Sequence, residues 1–132
     1  MTVILDTCTW IWLVSEARRI SPAAQEAISG ARRKGSAHLS VISCWEVARL
    51  VETGKLSFLF PVEDWIRRAL ALEGLALQGL TPGICVDSTE LPGEFHGDPA
   101  DQIIVATARR LGAAVVTPDR RIRGYSHVPS LW

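Results

Sequence analysis

The sequence predicts an α/β fold, a parallel sheet sandwiched between helices, and three observations carry that prediction. Short, mainly apolar runs recur at residues 2–5, 38–42, 75–80 and 113–117, and the last shows no polar alternation, as expected of a strand covered on both faces. Helix signals separate the runs: Ser21-Pro22, Pro61, Thr81-Pro82 and Asp98-Pro99 suit helix starts, while Gly35, Gly54, Gly74 and Gly112 suit helix ends. Strands alternating with helices at this spacing give parallel β-α-β units, with every strand ending on one rim.

Residues 2–5 form the first strand, which ends abruptly in Asp6-Thr7. A carboxylate directly after a buried strand must face solvent, a partner or a cation. Asp6 or Thr7 also suits the cap of a helix over residues 8–14, and on this stretch alone capping is the simpler explanation. The helix opened by Ser21-Pro22 continues through Ala23, Ala24, Ala27 and Ile28 towards Arg33. The second strand leads into Ser43-Cys44-Trp45-Glu46, the S-x-x-E spacing of a capping box, in which Glu46 would reach back to the Ser43 amide. Glu46 therefore has two readings, a helix cap and a member of an acidic site.

After a linker over residues 55–60, Val62, Trp65, Ile66, Ala69 and Leu70 fall at helical spacing and form a stripe assigned to the core. The third strand follows, then a weaker helix from Thr81-Pro82, which leads to the Leu91-Pro92-Gly93 turn. Asp98 and Asp101 open the next helix, whose apolar face is Ile103, Ile104, Ala106, Thr107, Ala108 and Leu111, with Arg109 and Arg110 in its last turn. This helix leads into the fourth strand, closed by Asp119. Asp119-Arg120-Arg121-Ile122 reads as a basic turn, and residues 126–132 add an edge strand.

The chain has 132 residues, enough for one domain with a sizeable core. Its 48% apolar and 21% charged residues are ordinary for a soluble globular protein, which argues against disorder and membrane insertion. Fourteen basic and fourteen acidic residues cancel, although the acids gather at strand ends and the bases at Arg32, Arg33 and Lys34, at Arg109 and Arg110, and at Arg120, Arg121 and Arg123. Cys8, Cys44 and Cys85 form no C-x-x-C pair, so they are expected to be buried reduced thiols of a cytoplasmic protein. His38, His96 and His127 lack metal-ligand spacing and default to surface or core positions.

Asp6, Glu46 and Asp119 fall on the rim where the strands end. The helix of Asp98 and Asp101 is expected to feed the fourth strand from the opposite rim, so topology alone does not bring those two acids to the others. If Asp6, Glu46, Asp101 and Asp119 converge, each close pair repels by roughly 4 kcal/mol at about 4 Å and an effective dielectric of about 20. Such a cluster takes up protons or binds a cation. Oxygen ligands without His or Cys select Mg²⁺ or Mn²⁺, and an acidic rim without a phosphate loop suits phosphodiester hydrolysis. The sequence holds no G-x-x-x-x-G-K-[ST] and no G-x-G-x-x-G.

Four blocks, LDTCTWIWL, LSVISCWEVARLVETGKL, LPGEFHGDPADQIIVATARRLGAAVVTPDRRI and YSHVPSLW, together resemble the PIN-domain ribonucleases, specifically the VapC-type toxins of toxin–antitoxin pairs, over essentially the whole chain. The resemblance implies a single PIN domain over residues 1–132, a three-layer sandwich with central parallel sheet in the order 3-2-1-4-5, and acids gathered in one pocket. It implies Mg²⁺- or Mn²⁺-dependent RNA cleavage with Asp6, Glu46 and Asp101 as principal acids and metal ligands, Asp119 as the fourth, and Asp98 as helper or helix cap. Thr7 and Thr117 match supporting hydroxyl positions. A homodimer and a VapB-like antitoxin whose tail enters the groove are implied as well. Gln102 departs from the pattern, where relatives commonly carry Arg. The competing reading is a catalytically idle PIN-like module that binds RNA or protein. Trp10 and Trp12 cannot share one helix face, so one belongs in the core and the other at a dimer or antitoxin interface.

Overall fold

The computed structural model describes residues 1–132 as one five-stranded, wholly parallel sheet with helices against both faces. The first strand, β1 (Val3–Leu5), is followed by α1 (Thr7–Ser15), a 3₁₀ turn (Ala17–Arg19), α2 (Pro22–Arg33), β2 (Ala37–Ser40) and α3 (Ile42–Glu52). Next come α4 (Val62–Leu70), β3 (Leu75–Gln78), α5 (Pro82–Thr89), α6 (Pro99–Leu111), β4 (Ala114–Val116), the single turn α7 (Arg120–Arg123) and β5 (Ser130–Leu131). The strand order is 3-2-1-4-5, as the resemblance implied.

Strand β1 is central, and its three residues show why its sequence does not alternate. Val3 and Leu5 point into one core, with Trp10, Ile28, Val47 and Trp65, while Ile4 points into the other, with Ile104, Val105, Val115 and Ile122. Both sheet faces are covered, so every position is apolar. In register, Leu5 stands opposite Leu39 on β2 and Val116 on β4. The residues just after these strands are thereby delivered side by side to one rim.

Most caps follow the sequence reading. Ser21 Oγ accepts the Ala24 amide at 3.1 Å, Thr81 Oγ1 accepts the Ile84 amide at 3.2 Å, and Asp98 Oδ1 accepts the Ala100 amide at 3.0 Å. Gly112 ends α6 in the left-handed conformation, φ 63°. Gly74 has φ 80°, and a Cβ there would lie 2.4 Å from the Arg32 carbonyl oxygen, so only glycine allows β3 to start so close to the end of α2.

Four local expectations are corrected. The second strand stops at Ser40 and α3 begins at Ile42, so Ser43 lies inside the helix and forms no capping box. Ser40 Oγ instead accepts the Ile42 amide at 3.2 Å. The third strand ends at Gln78, two residues early, and the basic turn after Asp119 winds into the short helix α7. No cysteine is fully buried, and Cys85 is exposed, although all three are free thiols.

Trp10 is the tryptophan that belongs to the core. It is fully buried, meets Trp65 edge-on at 5.1 Å between ring centroids, and donates its indole N–H to the Ala69 carbonyl. Trp12 turns away, with the Arg19 guanidinium 4.3 Å over its ring and Trp132 at 5.9 Å. Trp10→Ala should therefore cost about 3–5 kcal/mol of unfolding free energy, as loss of a large aromatic from a packed core does. Trp12→Ala should cost clearly less, and urea titrations of the two variants test the difference.

Candidate active site

The strand ends build a pocket of about 330 Å³ whose lining includes Asp6, Thr7, Glu46, Asp98, Asp101, Asp119 and Arg121. The five acids expected from the sequence thus share one hollow. Asp98 and Asp101 are there because α6 runs antiparallel to the strands. A crossover helix that enters the next strand from below must begin above, on the rim where the strands end. The expectation that these two acids lie on the opposite rim is corrected by that geometry.

Asp6 performs both tasks that the sequence offered as alternatives. Its Oδ1 caps α1 by accepting the Thr9 amide at 2.9 Å, and its Oδ2 accepts the hydroxyl of Thr117, which follows β4. The Cys8 thiol donates to the same carboxylate at 3.5 Å. Thr9 is itself fixed, its hydroxyl donating to the Val116 carbonyl at 3.1 Å. Only 6% of Asp6 is exposed, and burial raises its pKa above the usual carboxylate range despite these hydrogen bonds. Burial and the Asp6 charge together push the Cys8 thiol up, so Cys8 acts as a protonated donor rather than a thiolate ligand.

Glu46 does not fold back on Ser43. Its carboxylate accepts the Thr7 hydroxyl, and Thr7 Oγ1 stands 2.9 Å from the buried Ser43 hydroxyl. Since the Thr7 proton is committed to Glu46, Ser43 is the donor to Thr7, and the three groups form a short relay from α3 through α1 and back. Burial raises the Glu46 pKa, and the negative charges of Asp98 and Asp6 add to the shift.

Asp101 lies in the first turn of α6, and its side chain is 13% exposed. Burial first, then the charges of Asp98, Glu46 and Asp119, push its pKa up to about 7. Asp119 caps α7 and is held below the usual range by its hydrogen bond to Arg121, 3.0 Å from Arg121 Nη2. That guanidinium also approaches Asp101 Oδ2 at 3.6 Å. Arg121 was read as part of a separate basic cluster and instead sits at the mouth of the acidic pocket. His96 was missed too: its Nε2 lies 3.1 Å from Asp101 Oδ2. The hint was its place two residues before the cap of α6.

Gln102, the departure from the family pattern, donates its side-chain amide to the His96 carbonyl at 3.1 Å and ties the preceding loop to α6. No three His, Cys, Asp or Glu side chains are gathered into a ready-made metal cage. Spaced carboxylates nevertheless suit Mg²⁺, which keeps most of its own water and needs one or two protein carboxylates. Inner acids whose charge is desolvated and unpaired with any base fit a divalent cation as their counter-charge.

The family model for the PIN domain matches residues 3–128. The chain belongs to the PIN-domain family. A relative, ribonuclease VapC22 of Mycobacterium tuberculosis, is 37% identical over 126 residues, which is 96% of this chain and 93% of that protein. In fold, this PIN domain is similar to chains in the structures of VapBC2 from Rickettsia felis and VapBC from Salmonella typhimurium, both bound to DNA. Each similarity has a TM-score of 0.71; sequence identities are 14% and 18%, with 99% of this chain and 98% and 97% of those chains covered.

The Asp101 shift has a consequence for this PIN domain's stability. Between about pH 4 and 7 the folded chain keeps a proton on Asp101 that the unfolded chain has released, so stability falls as pH rises through that window. In metal-free buffer at pH 8, Asp101→Asn should melt a few degrees above the wild type, and the gap should close near pH 4. Calorimetric scans across this range check the sign.

Proposed function

We propose that this PIN domain is an endoribonuclease toxin that uses Mg²⁺ or Mn²⁺ to hydrolyse RNA phosphodiester bonds and is neutralised by a cognate VapB-like antitoxin. One observation carries the reading: Asp6, Glu46 and Asp101 face a single pocket, are mostly withdrawn from solvent, and have pKa values raised chiefly by burial. A protein that only held RNA or a partner would lose stability by keeping such acids together and would gain nothing from them. The relative's name, ribonuclease VapC22, supports the nuclease reading. The complexes named VapBC support an antitoxin partner.

In this proposal Asp6, Glu46, Asp101 and Asp119 hold the metal, and Thr7, Thr117 and Asp98 support them. The bound cation supplies counter-charge to the reacting phosphate and makes an attacking water more acidic. Everything else falls to the chain itself. The Thr117 hydroxyl and the Thr9 amide hold the Asp6 carboxylate in one orientation, and Thr7 does the same for Glu46. Asp98 fixes the first turn of α6, and therefore the backbone of Asp101, by accepting the Ala100 and Asp101 amides. Arg121, exposed at the mouth and the only base lining the pocket, is placed to meet an incoming phosphate.

The single domain over residues 1–132, the cytoplasmic setting and the homodimer belong to the same proposal. No helix is long and apolar enough to cross a membrane. Exposed Trp45, Leu59, Phe60, Leu77 and Val86 supply apolar surface for a second copy or the antitoxin. Trp12 has partners within its own chain, so its part in such a contact is limited to the edge that Arg19 and Trp132 leave open.

Asp6→Asn keeps the Oδ1 that caps α1 while removing the charge. It should lower cleavage of a structured RNA roughly 100-fold or more, with the thermal transition retained and Mn²⁺ binding weakened in calorimetry. Wild-type cleavage should stop with chelator and return with Mn²⁺. An RNA that is retained but never cut by the wild type, in any divalent metal, would establish the idle binding module instead.

A further inference from the structure

His96 lies in the loop before α6 and is oriented by three contacts. Its Nδ1 accepts the Asp98 amide at 3.3 Å, its carbonyl accepts the Gln102 side chain, and the Phe95 ring lies 4.4 Å away, tilted against the imidazole. Phe95 in turn meets Tyr125 edge-on at 4.8 Å, and the Tyr125 hydroxyl donates to the Pro92 carbonyl at 2.6 Å. An Nδ1 that accepts an N–H carries no proton of its own, so the neutral ring carries it on Nε2.

That Nε2 is buried and has no partner in good hydrogen-bond alignment, and the acidic oxygen it approaches is Asp101 Oδ2, at 3.1 Å. A buried donor without an aligned acceptor is rare in folded proteins and needs a reason. Arg121 reaches the same Oδ2, but from farther away, from an exposed position, and while bound to Asp119. Both basic neighbours therefore approach Asp101 from the side of Oδ2.

We propose that His96 is a positioning residue: a small rotation lines its buried Nε2–H up on Asp101 Oδ2, which leaves Oδ1 for the acidic pocket and so sets that pocket's affinity for a divalent cation. This rests on the reading of the pocket as a divalent-cation site. The donor is fixed by the amide of Asp98, the residue that also caps the helix on which Asp101 rides. One backbone turn thus orients both members of the pair. Groups that orient a metal's ligands without touching the metal act in this way, and their loss typically weakens metal binding about 10- to 100-fold.

The test is Mn²⁺ titration calorimetry of the full chain at pH 8 with His96→Ala, His96→Asn and His96→Gln. A glutamine places its amide nitrogen near the position of the ring Nε2, whereas an asparagine reaches only the Nδ1 position. His96→Ala and His96→Asn should bind Mn²⁺ about 10- to 100-fold more weakly than wild type, and His96→Gln should recover most of the loss. Because His96→Ala also loosens a packed loop, ¹⁵N spectra of the unaltered protein provide a second measurement. They should show the His96 proton on Nε2, with a shift on adding Mg²⁺. Wild-type binding that His96→Ala leaves unchanged, no recovery in His96→Gln, or a proton on Nδ1 would each overturn the role of His96 alone. A wild type that binds no Mn²⁺ would overturn the divalent-cation reading and this proposal with it.

Discussion

A carboxylate at the end of the central strand, almost wholly removed from solvent, is the constraint to which the surrounding structure answers. Asp6 follows β1 without a spacer, so its charge is delivered to the rim by the same backbone that forms the middle of the sheet. Burying such a group costs several kcal/mol unless it is hydrogen-bonded or paired. The chain hydrogen-bonds it, with the Thr117 hydroxyl from the end of β4, the Thr9 amide from α1 and the Cys8 thiol. Each donor is fixed by an element that also builds the fold, and the register Leu5 to Val116 brings Thr117 within reach of Asp6. Site and scaffold therefore share atoms.

The rest of the pocket follows from the parallel sheet. All strands end on one rim, and every helix that crosses back must begin there. Acids just after strands, such as Asp6 and Asp119, then meet acids in the first turns of helices, such as Asp98 and Asp101. Helix N-termini carry partial positive charge, which makes this the rim where carboxylates are least costly. The caps at Asp98 and Asp119 show the effect directly, since each carboxylate accepts amides of the helix it opens.

Much of this was legible in the sequence because it depends on local chemistry. Proline after a capping residue marks α2, α5 and α6, and Gly112 marks the end of α6. The unalternating fourth strand correctly implied cover on both faces. What the sequence concealed depends on where side chains point. Ser43 and Glu46 have capping-box spacing, yet the helix starts before Ser43, and both side chains turn to Thr7, more than thirty residues earlier in the chain. Arg121 looked like one of three solvated arginines, and only the fold sets it between Asp119 and Asp101. His96 has no motif of its own, because its partner is defined by a loop conformation rather than by spacing.

The donors around the acids also differ with depth, in a way that bears on function. The innermost carboxylates, Asp6 and Glu46, are held by hydroxyls, an amide and a thiol, all neutral, and their pKa values are raised. The outermost, Asp119, has a guanidinium, and its pKa is lowered. Neutral donors fix a carboxylate's direction without cancelling its charge, whereas an arginine at the same place would both fix it and neutralise it. A chain selected only for stability would have no carboxylate at that depth, since an uncompensated buried charge costs most there and even a buried ion pair often does no better than apolar packing. This one leaves its arginine at the mouth, so the deep carboxylates stay without a basic partner, which is the condition that the proposed cation site requires.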